Sequence, residues 1–368
     1  MTAAPPPGAA RAPAGPVDLG YATRPVRTRW LSGRLPVRLL AVSAAGFAIA
    51  VVAAVVAITL GDYPLGLEQV LAVLGGGGEA FQRVVVLDWR APVAVAAVVF
   101  GALLGIGGAI FQSLTRNPLG SPDVIGFDAG SYTAVVVMLL VLGSPGYWSL
   151  AVAALVGGLA TAVVVYLLSY RRGVQGFRLI VVGIGVSAML GSINSFLLTR
   201  ADVDDAMTVG FWSAGTITRV SWASMAPAAL IAVTIVLAAG ALSPALRRLE
   251  LGDDAATTLG TRPTRARLAL MVVGVATVAL VTAAAGPISF VALAAPQLAR
   301  RLTRSAGVSL VGAAATGAAL LALAHLLSLL VAQVYQAVPV GLVTVCLGGL
   351  YLIWLLIRET RRQYGAPR

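Results

Sequence analysis

Ten stretches of this chain are apolar over roughly the length that a helix needs to cross a lipid bilayer, about 20 residues, and that recurrence limits the fold more than any motif does. They lie at 39–60, 93–114, 128–142, 149–170, 179–199, 223–242, 268–285, 287–303, 308–334 and 339–357, with 128–142 and 287–303 the shortest. The composition agrees. Of the 368 residues 59% are hydrophobic and 11% charged, against about 25% charged in soluble domains. A water-soluble fold of this size has no place to hide so much apolar surface. The expected fold class is therefore all-α, a polytopic membrane protein of about ten transmembrane helices. Residues 1–35 read as a disordered Arg/Pro-rich tail, 36–358 as the membrane domain and 359–368 as a short second tail. Pro92, Pro287 and Pro339 stand at span starts, where a missing N–H costs nothing. Pro296 stands inside a span, where a kink or break is expected.

The basic residues set the orientation. The formal net charge is +12, all 26 basic residues are Arg, and they cluster between apolar runs instead of forming the stripe that nucleic acid would need. If the N-terminus lies inside, 22 of the arginines fall on inner segments and only Arg83, Arg90, Arg200 and Arg219 on outer ones. That split predicts an even number of crossings with both termini in the cytoplasm. The absence of Lys excludes a Walker A loop, so the chain does not hydrolyse ATP by that route. Cys346 and His325 are single, which excludes an internal disulfide and the usual zinc or iron sites. No cofactor and no enzymatic activity are expected.

Three connecting segments are longer than turns. Outer residues 61–92 carry Leu67, Val70, Leu71 and Leu74 ahead of Gly75–Gly78, which predicts a short interfacial helix and a bend. Outer residues 200–222 hold Asp202, Asp204 and Asp205 with Trp212 and Trp222, residues suited to a membrane interface. Inner residues 243–267 read as one or two short helices outside the bilayer, a default docking surface, with Asp253 and Asp254 placed for a helix N-terminus.

Polar groups within the apolar runs are few: Gln112, Ser113, Ser192, Asn194, Ser195, His325, Gln333 and Gln336. In lipid such groups face the bundle or a wet cavity, so Gln112, Asn194 and His325 are pathway candidates. His325 also fits an ordinary interhelical hydrogen bond. Nearly all acids read as loop residues, which points to an energy source outside the chain rather than to a coupled ion. Gly101 and Gly105 form a Gly-x-x-x-Gly pair suited to close helix contact, and Gly183 with Gly185 reads the same way. The stretch from Thr115 to Gly126 contains Pro118 and Pro122, which exclude a regular helix. It is either a rigid turn or a gating segment, because irregular backbone at membrane depth must be buried in protein or line a cavity.

Four sets of residues carry a family likeness. Arg90-Ala91-Pro92 with Gln112-Ser113-Leu114-Thr115-Arg116-Asn117-Pro118-Leu119 resembles the permease subunits of bacterial iron–siderophore, haem and vitamin B12 ABC importers. So do Leu251-Gly252-Asp253-Asp254-Ala255-Ala256 with Leu259-Gly260, the run Gly286-Pro287-Ile288-Ser289-Phe290-Val291-Ala292-Leu293 with Ala295-Pro296-Gln297-Leu298-Ala299-Arg300, and Pro339-Val340-Gly341 with Thr344. The resemblance implies a type II ABC importer permease fold in the bacterial inner membrane. Its implied partners are a second permease subunit (a homodimer or a similar paralogue), two cytoplasmic ATPase subunits and an external substrate-binding protein. The loop from Leu251 to Gly260 would dock on the ATPase, Asn117, Pro118 and Leu119 would close the cytoplasmic gate, and Arg90 would meet an acidic residue of the binding protein. Four positions depart from the family: Val93 replaces a second outer Arg, His325 and Leu329 replace an Asp and an Arg of the ninth span, and Gln336 stands near an absent acid before Pro339. The Ala295-Pro296-Gln297 form with Arg300-Arg301 looks most like the ferric-enterobactin branch. The alternatives are a haem or cobalamin permease, a secondary carrier needing no ATPase, and a membrane scaffold that transports nothing.

Overall fold

The structure is a computed structural model that describes residues 22–27, 32–123, 125–143, 146–170, 176–305 and 307–364. Two short strands, β1 (Thr23–Arg27) and β2 (Ser32–Pro36), pair antiparallel with Thr23 opposite Pro36. This hairpin lies within the stretch read as a disordered tail; residues 1–21 and 365–368 fall outside the described residues. Pro25 and Pro36 are tolerated because both strands are edges.

Helices follow in chain order: α1 (Val37–Thr59), α2 (Leu67–Leu74), α3 (Ala80–Arg83), then a π-helical turn (Val84–Arg90) that leads into α4 (Ala91–Thr115). After these come α5 (Phe127–Leu140), α6 (Tyr147–Ser169), α7 (Gly176–Leu198), α8 (Val203–Ser213), α9 (Trp222–Glu250) and α10 (Asp253–Thr258). The chain ends with α11 (Pro263–Ala285), α12 (Val291–Thr303), α13 (Leu310–Val334) and α14 (Val340–Tyr364). Each expected span coincides with a helix. Among the described residues seven helices are long and apolar enough to cross a membrane. The exceptions are α5, the apolar part of α14 (Val340–Trp354), and α12, whose last turn carries Arg300 and Arg301. The Arg-rich side is called inner below. The short helix expected in 61–92 is α2, followed by the glycine bend.

The core is built around α4, which packs against α1, α9, α11, α12 and α13. Lipid gives helices no hydrophobic reason to associate, so close approach through small residues does the work. A Cβ on Gly101 would stand 2.5 Å from the Gly317 carbonyl oxygen, and one on Gly105 would overlap the Ala313 carbonyl. The expected Gly-x-x-x-Gly contact is therefore the α4–α13 seam. Phe100, Leu103, Leu104, Ile110 and Phe111 fill the space around it and are fully buried.

Two short helices start deep in the bundle. Gly130, near the start of α5, packs against Gly157 and Thr161 in the middle of α6, and Ile125 packs against Gly183 of α7. The irregular residues 116–123 and 125–126 therefore lead from the inner end of α4 into the bundle before α5 begins. From the other side, residues 286–290 descend from the end of α11 to α12, which begins at Val291 beside Gly108 of α4. Pro287 thus lies in this irregular descent and not at a helix start. Pro296, expected to kink or break its span, sits within an unbroken α12. The inner segment 243–267 is one short helix, α10, because α9 runs on through Pro244 to Glu250.

Candidate functional site

The inner corner of the bundle is where α4, α9, α10, α11 and α12 meet. Two left-handed glycines frame α10: Gly252 at φ 113° and Gly260 at φ 78°, conformations that a side chain would strain. Between them α10 is divided by its faces. Ala256 is fully buried against Leu246, Leu249 and Leu270, whereas Leu251 is 68% and Leu259 53% exposed and Asp254 points to solvent. Asp253 turns inward: its Oδ1 accepts from Arg267 Nη2 of α11 at 2.6 Å and from Arg116 Nη2 at 3.3 Å.

Arg116 is the first residue beyond α4 and adopts a left-handed conformation (φ 50°). Its guanidinium also donates to the Leu249 carbonyl at 3.2 Å. Next comes a tight turn in which Asn117 Oδ1 accepts from the Leu119 N–H at 2.9 Å and the Asn117 carbonyl from the Gly120 N–H at 2.9 Å. Gln297 Nε2 of α12 donates to the Pro118 carbonyl at 2.8 Å, and Gln112 Nε2 donates to the Leu293 carbonyl at 2.9 Å. Glu250 closes the corner: one carboxylate oxygen accepts from Ser113 Oγ at 2.9 Å and from the Val308 N–H at 3.3 Å. Gln112, Arg116, Asn117, Glu250 and Arg300 line a cavity of about 250 Å³ here, and Gln112 Oε1 is buried with no partner among the described residues.

Where the two deep helix starts meet, Asp123 Oδ2 accepts from the Phe290 N–H at 3.2 Å and Asp128 Oδ1 accepts from Thr282 Oγ1 of α11 at 3.1 Å. Both acids lie inside the bundle: Asp123 is on the irregular segment, in keeping with the expectation that nearly all acids are loop residues, and Asp128, on α5, is an exception to it. A physical reason is visible. Asp123 holds the residue that caps α12 and Asp128 lies in the first turn of α5, and a helix N-terminus favours negative charge.

At the outer end of the bundle, Arg90 is half-buried. It donates from Nη1 to the Ile58 carbonyl at 2.8 Å and from Nη2 to the Tyr63 carbonyl at 2.6 Å. With Asp62, Thr218, His325 and Leu329 it lines a second cavity, of about 290 Å³. His325 is 4% exposed and its Nδ1 has no partner among the described residues, so no interhelical bond satisfies that atom. Nearby, Trp222 Nε1 donates to the Leu87 carbonyl at 2.6 Å.

Comparison with known proteins decides the family. The description "FecCD transport family" matches residues 47–358. The chain belongs to the FecCD transport family. It is 45% identical over 313 residues to the ferric enterobactin transport system permease protein FepG of Escherichia coli K12, spanning 85% of this chain and 94% of that protein. The iron(3+)-hydroxamate import system permease protein FhuG of Bacillus subtilis is 33% identical, with 87% and 97% covered. The hemin transport system permease protein HmuU of Yersinia pestis is 31% identical, with 76% and 85% covered. A solved structure described as a metal-chelate type ABC transporter in an inward-facing conformation shares the fold, with TM-score 0.75, 22% identity, and 87% of this chain and 99% of that one covered. The chain is thus a FecCD permease, a transport protein of the membrane.

In this FecCD chain the predicted gate residues Asn117, Pro118 and Leu119 lie beside the predicted docking loop, joined through Arg116 and Asp253. The three pathway candidates are not brought together. Gln112 lies at the inner cavity, His325 at the outer one, and Asn194 is buried on α7 with Oδ1 unpartnered among the described residues. Glu250 and Gln297 belong to the site although no sequence expectation assigns them to it. Glu250 adjoins the loop motif and closes a helix whose last turn holds Arg247 and Arg248, which was the available signal.

Proposed function

We propose that this permease forms the membrane path of an ATP-driven importer that carries a ferric siderophore of the catecholate kind into the cytoplasm. It pairs with a second permease, itself or a paralogue. Two ATPase subunits dock on the inner loop around α10, and an external binding protein delivers the chelate near Arg90. The chain crosses the membrane ten times with both termini in the cytoplasm, α5 and α12 serving as short crossings completed by the irregular segments beside them. One observation carries the reading: the loop between α9 and α11 offers exposed Leu251 and Leu259 away from the bundle while Ala256 anchors it in the core. Exposed leucines on a loop held by a buried residue suit a protein partner. The likeness to the ferric enterobactin permease supports the cargo. Uptake of labelled ferric siderophore in a deletion strain tests it. Uptake should vanish and return with the gene; unchanged uptake in the deletion removes the proposal.

A second reading has its own observation. Asp123 and Asp128 lie at the depth where an ion-coupled carrier keeps its acids. Purified permease in liposomes distinguishes the two: transport driven by an ion gradient with no ATPase present favours the carrier. Each acid already has one partner beside a helix N-terminus, the Phe290 N–H for Asp123 Oδ2 and Thr282 Oγ1 for Asp128, which needs no coupled ion; Asp123 Oδ1 is buried without a partner among the described residues.

A further inference from the structure

We infer that Asp253 is a positioning residue that carries movement of the docking loop to the gate segment, and is not itself a contact to the ATPase. This rests on the importer reading above. Of the two adjacent acids that open α10, Asp254 faces solvent and Asp253 faces the bundle. Its carboxylate joins three elements: α10 itself, α11 through Arg267 at 2.6 Å, and the residue that leaves α4, Arg116, at 3.3 Å.

The path beyond Arg116 has little slack. The same Nη2 that meets Asp253 also binds the Leu249 carbonyl, so the guanidinium sits in the corner between the end of α9 and the start of α10. Two residues later Pro118 has a ring-fixed φ, and its carbonyl is held by Gln297 of α12. The Asn117 side chain locks the intervening turn. A tilt of α10 therefore displaces Arg116, and Arg116 moves the gate segment and the α12 bond with it. At the two ends of α10, Gly252 and Gly260 have open space where a side chain would be, so neither end is wedged by a neighbour there.

Stability does not account for the Arg116–Asp253 pair. Arg116 and Asp253 are each about half exposed, 51% and 46% by side chain, and exposed ion pairs contribute little to folding. Loss of the pair is therefore expected to register in coupling rather than in folding.

The test uses the full complex of permease, ATPase and binding protein in liposomes, with ferric siderophore as cargo. Asp253→Asn and Arg116→Gln should each keep the ATPase bound while cargo moved per ATP falls about tenfold, within the usual range of coupling between sites. The double variant should fall no further than either single one, because the two residues act as one link. Leu251→Asp with Leu259→Asp should instead release the ATPase. The inference is overturned if Asp253→Asn releases the ATPase, if cargo per ATP is unchanged in either single variant, or if the double variant shows the product of the two losses. A wild-type permease that binds no ATPase overturns the importer reading itself, and that failure is visible without any variant.

Discussion

Gly108 of α4 faces the carbonyl oxygen of Ala292, and a Cβ at Gly108 would overlap that oxygen. Ala292 stands four residues before Pro296, so its carbonyl is the one that the proline leaves without a helical N–H. Gly108 brings α4 backbone against this freed oxygen, and Pro296 is accommodated without a break in α12. Gly108→Ala should cost about 2 kcal/mol or more, as overpacking against backbone does. Gly240→Ala, at a position with open space, should leave stability unchanged or slightly raised. Thermal midpoints in one detergent compare the two; equal midpoints would contradict the close approach.

Gln297 holds the Pro118 carbonyl and so ties the gate segment to α12. Gln297→Leu keeps the volume and removes the donor. The orphaned carbonyl should cost about 1 kcal/mol, too little to unfold the protein. The functional effect should be larger, with ATP hydrolysed without transport and cargo leaking from loaded proteoliposomes. A tight gate and normal transport per ATP in this variant would show that the bond does not govern closure.

Arg90 carries two expectations that can be separated. It ties Ile58 and Tyr63 together inside the chain, and the family likeness gives it a charged contact to the binding protein. Arg90→Lys keeps the charge but lacks the forked donor set that reaches two carbonyls at once. It should lose about 1–2 kcal/mol of stability and keep engagement of the binding protein. Arg90→Glu should lose both, with the loss of engagement smaller at high salt, where exposed charges are screened. Engagement that is equal at every salt concentration would exclude the charged contact.

How far the sequence could be read depends on the range of the signal. Apolar run length is local: a helix lies at each of the ten expected spans, seven of them long and apolar enough to cross a membrane among the described residues, and 128–142 and 287–303 are marked as short. What those short helices do is not local. The bond from Phe290 to Asp123 joins residues 167 apart, and no pattern along the chain announces it. The triplets Leu114-Thr115-Arg116 and Leu302-Thr303-Arg304 are a local signal of another kind, closing α4 and α12. Three residues are a weak repeat, yet both threonines bond the carbonyl four residues back at 2.7 Å and both arginines end their helix at φ near 50°. Within the docking motif the glycines could be recognised. Which acid turns inward could not, because neighbours on a helix differ by about 100° around its axis and the partner arginines lie on other helices.

His325 provides the sharpest test of a pathway role. It is buried beside the outer cavity, and its Nδ1 has no partner among the described residues. A buried polar group without a bond costs about 1–3 kcal/mol. If His325 serves only the fold, Leu at this position should stabilise the protein and leave transport intact. If it lines the route of a polar chelate, His325→Leu should hold or raise the thermal midpoint while transport falls severalfold. The pathway role is the expected outcome, since no partner among the described residues offsets the burial of Nδ1. Measuring midpoint and uptake on the same preparation separates the two, and a stabilised variant with full uptake would assign His325 to the fold alone.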